Sequence, residues 1–239
     1  MIAAQVRLRV RGLGRGFHQG GGRIEVLRGL DLDVAAGEVV TVSGPSGSGK
    51  STLFALLAAF DRPDTGSVEV MGDEVTPATP WTSLAVLPQT MGLSEELTLA
   101  ENVALPLRML TAHPPGEVAD RVDSLLGELG VAALADRYPL QVSFGQRQRV
   151  ALARALAVRP AVLLADEPTA HLDHASLSTV LVALRAAAAE GAAVLVATHD
   201  DEVHAMADRC LVLSEGRLVP GVRGAGGPVP AVTGTVRTG

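Results

Sequence analysis

The nine residues Gly44-Pro45-Ser46-Gly47-Ser48-Gly49-Lys50-Ser51-Thr52 leave this chain few folds to choose from. A β-branched run, residues 38–43, leads into them, and residues 50–59 behind them read as a helix. Strand, glycine loop and helix in that order form a phosphate-binding loop. Gly44, Gly47 and Gly49 admit backbone conformations that turn successive N–H groups onto β- and γ-phosphates. The helix that follows points its positive end at the same place. Lys50 neutralises phosphate charge, and the Ser51 hydroxyl suits Mg²⁺. Lys50 is also the one lysine among 20 basic residues, the rest being arginine. A compact ammonium fits beside a phosphate chain already wrapped by amides, where a broad guanidinium fits poorly. The expected ligand is a nucleoside triphosphate.

Composition narrows what the chain does with it. Hydrophobic residues make up 47% and charged residues 19% of 239, ordinary for an α/β protein with a sizeable core. A net charge of −6 without a basic stretch speaks against nucleic acid, and 3% aromatics are too few to stack bases. The lone cysteine, Cys210, excludes an internal disulfide, and Cys210-Leu211-Val212-Leu213 reads as a buried strand. Residues 1–11 lack the apolar core of a secretory signal, and no run of 18 apolar residues occurs. A cytosolic chain is expected, with any membrane role exerted through a partner.

Residues 6–10 and 30–34 alternate apolar and polar side chains, as half-buried antiparallel strands do. Short strands are expected at 67–71 and 84–87. From 89 to 148 the spacing turns helical, with helices at 98–110, where Pro106 predicts a kink or break, and at 115–129, ended by Gly130. Alternation then resumes: helix 145–157, strand 161–165, helix 175–190, strand 192–197, which predicts a parallel sheet. The expected organisation is a nucleotide-binding α/β core at 1–88 and 149–219, a helical lobe at 89–148, and a flexible Gly/Pro-rich tail at 220–239.

Strand 161–165 ends in Asp166-Glu167, which places both acids at the carboxyl edge of a parallel sheet, where ligands bind. Asp166 is positioned to hold Mg²⁺, and Glu167 to polarise a water against the γ-phosphate. Val142-Ser143-Phe144-Gly145-Gln146 and the helix after it then carry a family resemblance. They resemble the Leu-Ser-Gly-Gly-Gln signature of ABC-type ATPases. Further family motifs follow in order. Gln89 in Leu87-Pro88-Gln89 resembles the Q-loop glutamine. Glu167-Pro168-Thr169-Ala170-His171-Leu172-Asp173 resembles the catalytic glutamate and D-loop. His199 in Ala197-Thr198-His199-Asp200 resembles the switch histidine, and Phe17 lies where the family stacks an aromatic on adenine. Residues 97–107 and 56–66 are similar to the lipoprotein-release and macrolide-export branch.

The resemblance implies a P-loop ABC ATPase fold: a mixed-sheet α/β core, an antiparallel β subdomain and an inserted helical subdomain. It implies ATP and Mg²⁺ as ligands, with Ser51, Gln89 and Asp166 on the metal and Glu167, His199 and Gln89 around the reacting phosphate. Ser143, Gly145, Gln146 and Asp173 would meet the nucleotide of a second ATPase subunit, a homodimer in the simplest case. The whole would drive a membrane permease from the cytoplasmic face, gripping it near residues 90–110. Two departures stand out. Phe144 replaces the first signature glycine, and Ala170-His171 replace small polar D-loop residues. If position 144 needs φ > 0, phenylalanine is costly there. The alternatives are a regulatory subunit with weak hydrolysis, or a soluble ABC ATPase outside transport. His18, His113, His171, His174 and His204 lack ligand spacing and are expected on the surface. Arg147, Arg149 and Arg154 are expected as helix-surface or interlobe pairs.

Overall fold

The computed structural model describes residues 5–19, 22–110 and 114–221. The alternating segments near the start belong to two long antiparallel strands, β1 (Val6–Gln19) and β2 (Gly22–Ala35). The β-branched run forms β3 (Val39–Ser43), and the glycine loop joins it to α1 (Lys50–Leu57). Next come β4 (Thr65–Val70), β5 (Asp73–Glu74) and β6 (Leu84–Leu87). Helices α2 (Leu99–Met109) and α3 (Pro115–Glu128) follow, then α4 (Phe144–Ala157) after two 3₁₀ turns. The chain continues through β7 (Val162–Asp166), α5 (His174–Ala189) and β8 (Ala193–Ala197). It closes with α6 (Asp201–Met206), β9 (Arg209–Ser214) and β10 (Arg217–Pro220).

Two sheets result. A four-stranded antiparallel sheet has the order β2-β1-β4-β5, and a six-stranded sheet the order β10-β9-β3-β8-β7-β6. In the second sheet β9, β3, β8, β7 and β6 run parallel, and β10 is antiparallel at one edge. Its central strands are apolar on both faces, as they must be when both faces are covered. Successive side chains split between two cores. Val39, Leu163, Ala165, Val194 and Val196 face α2, α3, α4 and α5. Val40, Val42, Val162, Leu164 and Leu195 face α1 and the antiparallel sheet, meeting Leu8, Val10, Leu53 and Leu57. Each fully buried leucine or valine contributes about 1.5–3 kcal/mol of transfer free energy.

Several expectations shift in the structure. α1 stops at Leu57, and Ala59 already has φ 54°. Pro106 lies inside α2 without ending it. The helix starts at a capping box: Thr98 Oγ1 accepts from the Glu101 amide and the Glu101 carboxylate accepts from the Thr98 amide. α4 runs unbroken across the boundary placed at 148/149, so that boundary falls inside a helix. Pro220, expected to open the tail, pairs with Leu211 as the last residue of β10. Residues 222–239 and His113 lie outside the described residues. Short β5, β10 and α6 have no counterpart in the sequence reading.

Candidate functional site

Four parallel strands end on the same edge, and each delivers one part of the site. β3 leads into the glycine loop, β7 ends at Asp166 with Glu167 next, β8 precedes Thr198-His199, and β6 precedes Pro88-Gln89. At Gly44 (φ 152°) a Cβ would lie 2.5 Å from the Leu213 carbonyl oxygen and 2.7 Å from Ser48 Oγ, so no other residue fits. Gly49 has φ 103°, and its Cβ would meet Val26 Cγ1 at 2.7 Å. Between them Pro45, Ser46 and Gly47 are exposed. Lys50 Nζ turns back into the loop, donating to the carbonyls of Gly44 at 2.7 Å and Pro45 at 3.4 Å. Ser48 Oγ is buried without a hydrogen-bond partner. A loop with an ammonium inside it and an orphaned hydroxyl suits an oxygen-rich anion. Ser51 is exposed and Thr52 half-buried at the start of α1.

Asp166 is half-buried. Burial above all, and Glu167 after it, hold its carboxyl above the ordinary range, while Lys50 opposes them. A carboxylate so disfavoured, beside the Ser51 hydroxyl's helix, is a donor set that a hard divalent cation relieves. Glu167 adopts φ 50°, a left-handed conformation costing about 1–3 kcal/mol in a residue with a side chain. Its amide donates to Ala197 O at 2.9 Å, and its carbonyl accepts from Gln148 Nε2 at 3.3 Å. The Glu167 side chain, 13% exposed, meets His199 Nδ1 at 2.9 Å, while the His199 side chain is 80% exposed. Gln89 is exposed in the turn after β6. Beyond it, Arg154 donates to the carbonyls of Met91 and Gly92, both at 2.6 Å.

The signature residues stand at the start of α4. Ser143 is its exposed N-cap: Oγ accepts from the Gln146 amide at 3.3 Å, and Gln146 Oε1 accepts from the Ser143 amide at 2.8 Å. Phe144 is the first helical residue and is not among the positive-φ residues, so the conformational cost feared for it does not arise. Its ring meets His171 edge-on, with centroids 5.3 Å apart. A Cβ on Gly145 would lie 3.0 Å from Leu172 Cδ2, which ties this turn to the D-loop segment. Asp173 caps α5, accepting from the Ser176 amide at 2.8 Å. Phe17 is half-exposed on β1 opposite Ile24, with the Arg15 guanidinium 4.9 Å from its ring centre.

Lys50, Asp166, Glu167 and His199 are thus brought to one edge, whereas Ser143, Gly145, Gln146 and Asp173 are engaged in helix caps and D-loop packing. One histidine was misplaced. His204, expected on the surface, is buried, with Nδ1 2.8 Å from Thr41 Oγ1, because α6 lays it against β3. Gln148 and its bond to Glu167 were not foreseen. The signal available was a polar residue on the buried face of a helical stripe. Arg149 donates to the carbonyls of Leu129 and Gly130, tying α4 to the end of α3, and Arg154 ties α4 to the turn after β6.

Fold and site together define a P-loop ATPase cassette with a mixed-sheet core. Residues 27–170 match the family model described as ABC transporter. The chain is 42% identical over 207 residues to the lipoprotein-releasing system ATP-binding protein LolD of Maricaulis maris, spanning 83% of this chain and 90% of that one. It is 39% identical over 222 residues to the macrolide export ATP-binding/permease protein MacB of Nitrosomonas europaea, covering 89% of this chain and 33% of that protein. Among solved structures it is similar to a dimeric post-hydrolysis state of the ATP-binding cassette MJ0796 with ADP and Pi, with TM-score 0.81 and 31% identity over 88% of this chain and 96% of that one. The chain belongs to the ABC transporter family, falls with its lipoprotein-release and macrolide-export branch, and is an ATP-binding, ATP-hydrolysing subunit.

Proposed function

We propose that two copies of this chain close head to tail over ATP and drive a membrane permease from the cytoplasmic face. The gathering of Lys50, Asp166, Glu167 and His199 on one sheet edge carries this reading. The loop amides and Lys50 grip the β- and γ-phosphates, with Phe17 beside the adenine. Mg²⁺, held by Ser51, Asp166 and Gln89, would neutralise charge that builds on the phosphate oxygens. Glu167 polarises the attacking water, and His199, through its Nδ1 contact, holds the carboxylate in place and faces the γ-phosphate. Ser143 and the Gly145 amide, at the N-terminus of α4, offer an anion site for the γ-phosphate bound to the partner. Gln146 and Asp173 shape that surface by capping α4 and α5. ATP favours the closed pair through contacts that exist only there, and loss of the γ-phosphate removes them.

The relatives named as lipoprotein-releasing and macrolide-export proteins support a permease partner. Among the described residues no helix is long and apolar enough to cross a membrane. The segment around residues 90–110 is the proposed docking site for a permease helix. Steady-state turnover tests the catalytic assignment. Glu167→Gln is expected to lower kcat roughly a hundredfold or more while ATP still binds. Unchanged turnover would remove the glutamate from this role.

A further inference from the structure

We propose that Gln148 is a positioning residue for Glu167, tethering it to the helix that begins at Ser143. The inference rests on Glu167 being the group that faces the attacking water. Gln148 lies on α4 and is 1% exposed. Its Nε2 donates to the Glu167 carbonyl at 3.3 Å, and its Oε1 is buried with no hydrogen-bond partner. Turning the amide over would set one acceptor against another, so the donor orientation is fixed. An apolar side chain could fill the same buried place without leaving an orphaned oxygen. The amide is explained by what it donates to.

Its acceptor is the carbonyl of a residue whose backbone is held on both sides. Glu167 sits at φ 50°. Its amide is held by Ala197 O at 2.9 Å, and its carbonyl by the Ala170 amide at 3.2 Å and by Gln148. β8 holds the peptide before Glu167, and the D-loop turn and α4 hold the peptide after it, so the residue is fixed from three directions. A residue in this region of backbone space persists only when its surroundings over-determine it. The aim of the Glu167 carboxylate toward His199 follows from the backbone conformation these contacts hold.

α4 extends the effect. Ser143 precedes Gln148 by five residues, about 7.5 Å along a helix axis. Farther along, Arg154 holds the carbonyls of Met91 and Gly92 beside the Gln89 turn. One rigid helix thus carries the surface offered to a partner's nucleotide, the tether to this chain's own glutamate, and the anchor of its Q-loop. In a head-to-tail pair, Gln148 makes the glutamate of one ATP site sensitive to closure of the other.

The test is Gln148→Met, close in volume and without an amide, with Gln148→Leu as a second variant. Turnover, ATP affinity and Tm are measured in the full-length chain, alone and in the Glu167→Gln background. We expect kcat to fall roughly tenfold to a hundredfold, the size of effect a small misplacement produces. ATP affinity should hold and Tm should not drop, because an orphaned buried oxygen has been removed. In the Glu167→Gln background the same change should leave residual turnover where it was. Unchanged kcat, an equal loss in both backgrounds, or a loss that tracks a lowered Tm would each overturn the tether. If Glu167→Gln itself turns over normally, the reading of Glu167 fails first and the tether with it.

Discussion

Asp166 shows how one residue can be costly to the fold and useful to the reaction. It is half-buried beside Glu167, and both circumstances push its carboxyl up from the ordinary 3.8. The native state therefore binds this proton more tightly than the unfolded chain does. Its destabilising contribution grows as pH rises from 3.8 through the raised native value, and is complete above it. Asp166→Asn should raise the Tm of the nucleotide-free protein at neutral pH and lose that advantage near pH 3.8 and below. Thermal unfolding across pH, without nucleotide or divalent cation, checks this, and an equal or lower Tm for the variant at neutral pH would count against it. Both acids were legible in the sequence, because an apolar strand that ends in two of them has one place to put them. His204 was not. It sits in a short helix that opens with Asp201 and Glu202, and only the packing of α6 on β3 shows that its ring fills a buried place beside Thr41. Burial holds its pKa below the ordinary histidine value, with Asp201 and Asp200 opposing.

At the scale of elements, α4 and the glycine loop differ in how openly the sequence declares them. The loop is a backbone motif whose glycines have no substitute: Gly44 lacks room for a Cβ and Gly49 needs φ 103°. Spacing alone exposed it. The start of α4 was legible as a family motif, but its N-cap pairing of Ser143 with Gln146 and its reach to Glu167 and Met91 are tertiary facts. Ser143 also has two functions to separate, one in the cap and one in the proposed dimer. Serine to alanine at an N-cap costs about 1 kcal/mol, whereas serine to glycine costs only a few tenths. Ser143→Gly should therefore leave stability nearly intact yet weaken ATP-driven association, read by chemical denaturation and by sedimentation. Loss of association only in step with stability would reduce Ser143 to a cap. The same local geometry disposes of the worry about Phe144, which sits at an ordinary first-turn position and packs on His171. Two departures from the family pattern meet in one contact, a coincidence invisible in a linear sequence.

For the molecule as a whole, the parallel sheet explains why the site forms at all, since strands pointing one way deliver their loops to one edge. That much followed from the alternation of strand and helix patterns. The edge strand β10 and helix α6 did not, being too short to show a period. At the start of α4 the exposed Ser143 and the Gly145 turn serve the helix cap and the D-loop contact within one protomer. In the proposed head-to-tail pair, the same surface meets the nucleotide bound to a second copy. Light scattering of Glu167→Gln with saturating ATP and Mg²⁺ tests this most directly. The mass should rise from 24.6 kDa to twice that value, and fall back when Ser143→Arg is added. A mass that stays at 24.6 kDa with ATP demonstrably bound, or a doubling indifferent to Ser143, would contradict the head-to-tail assembly.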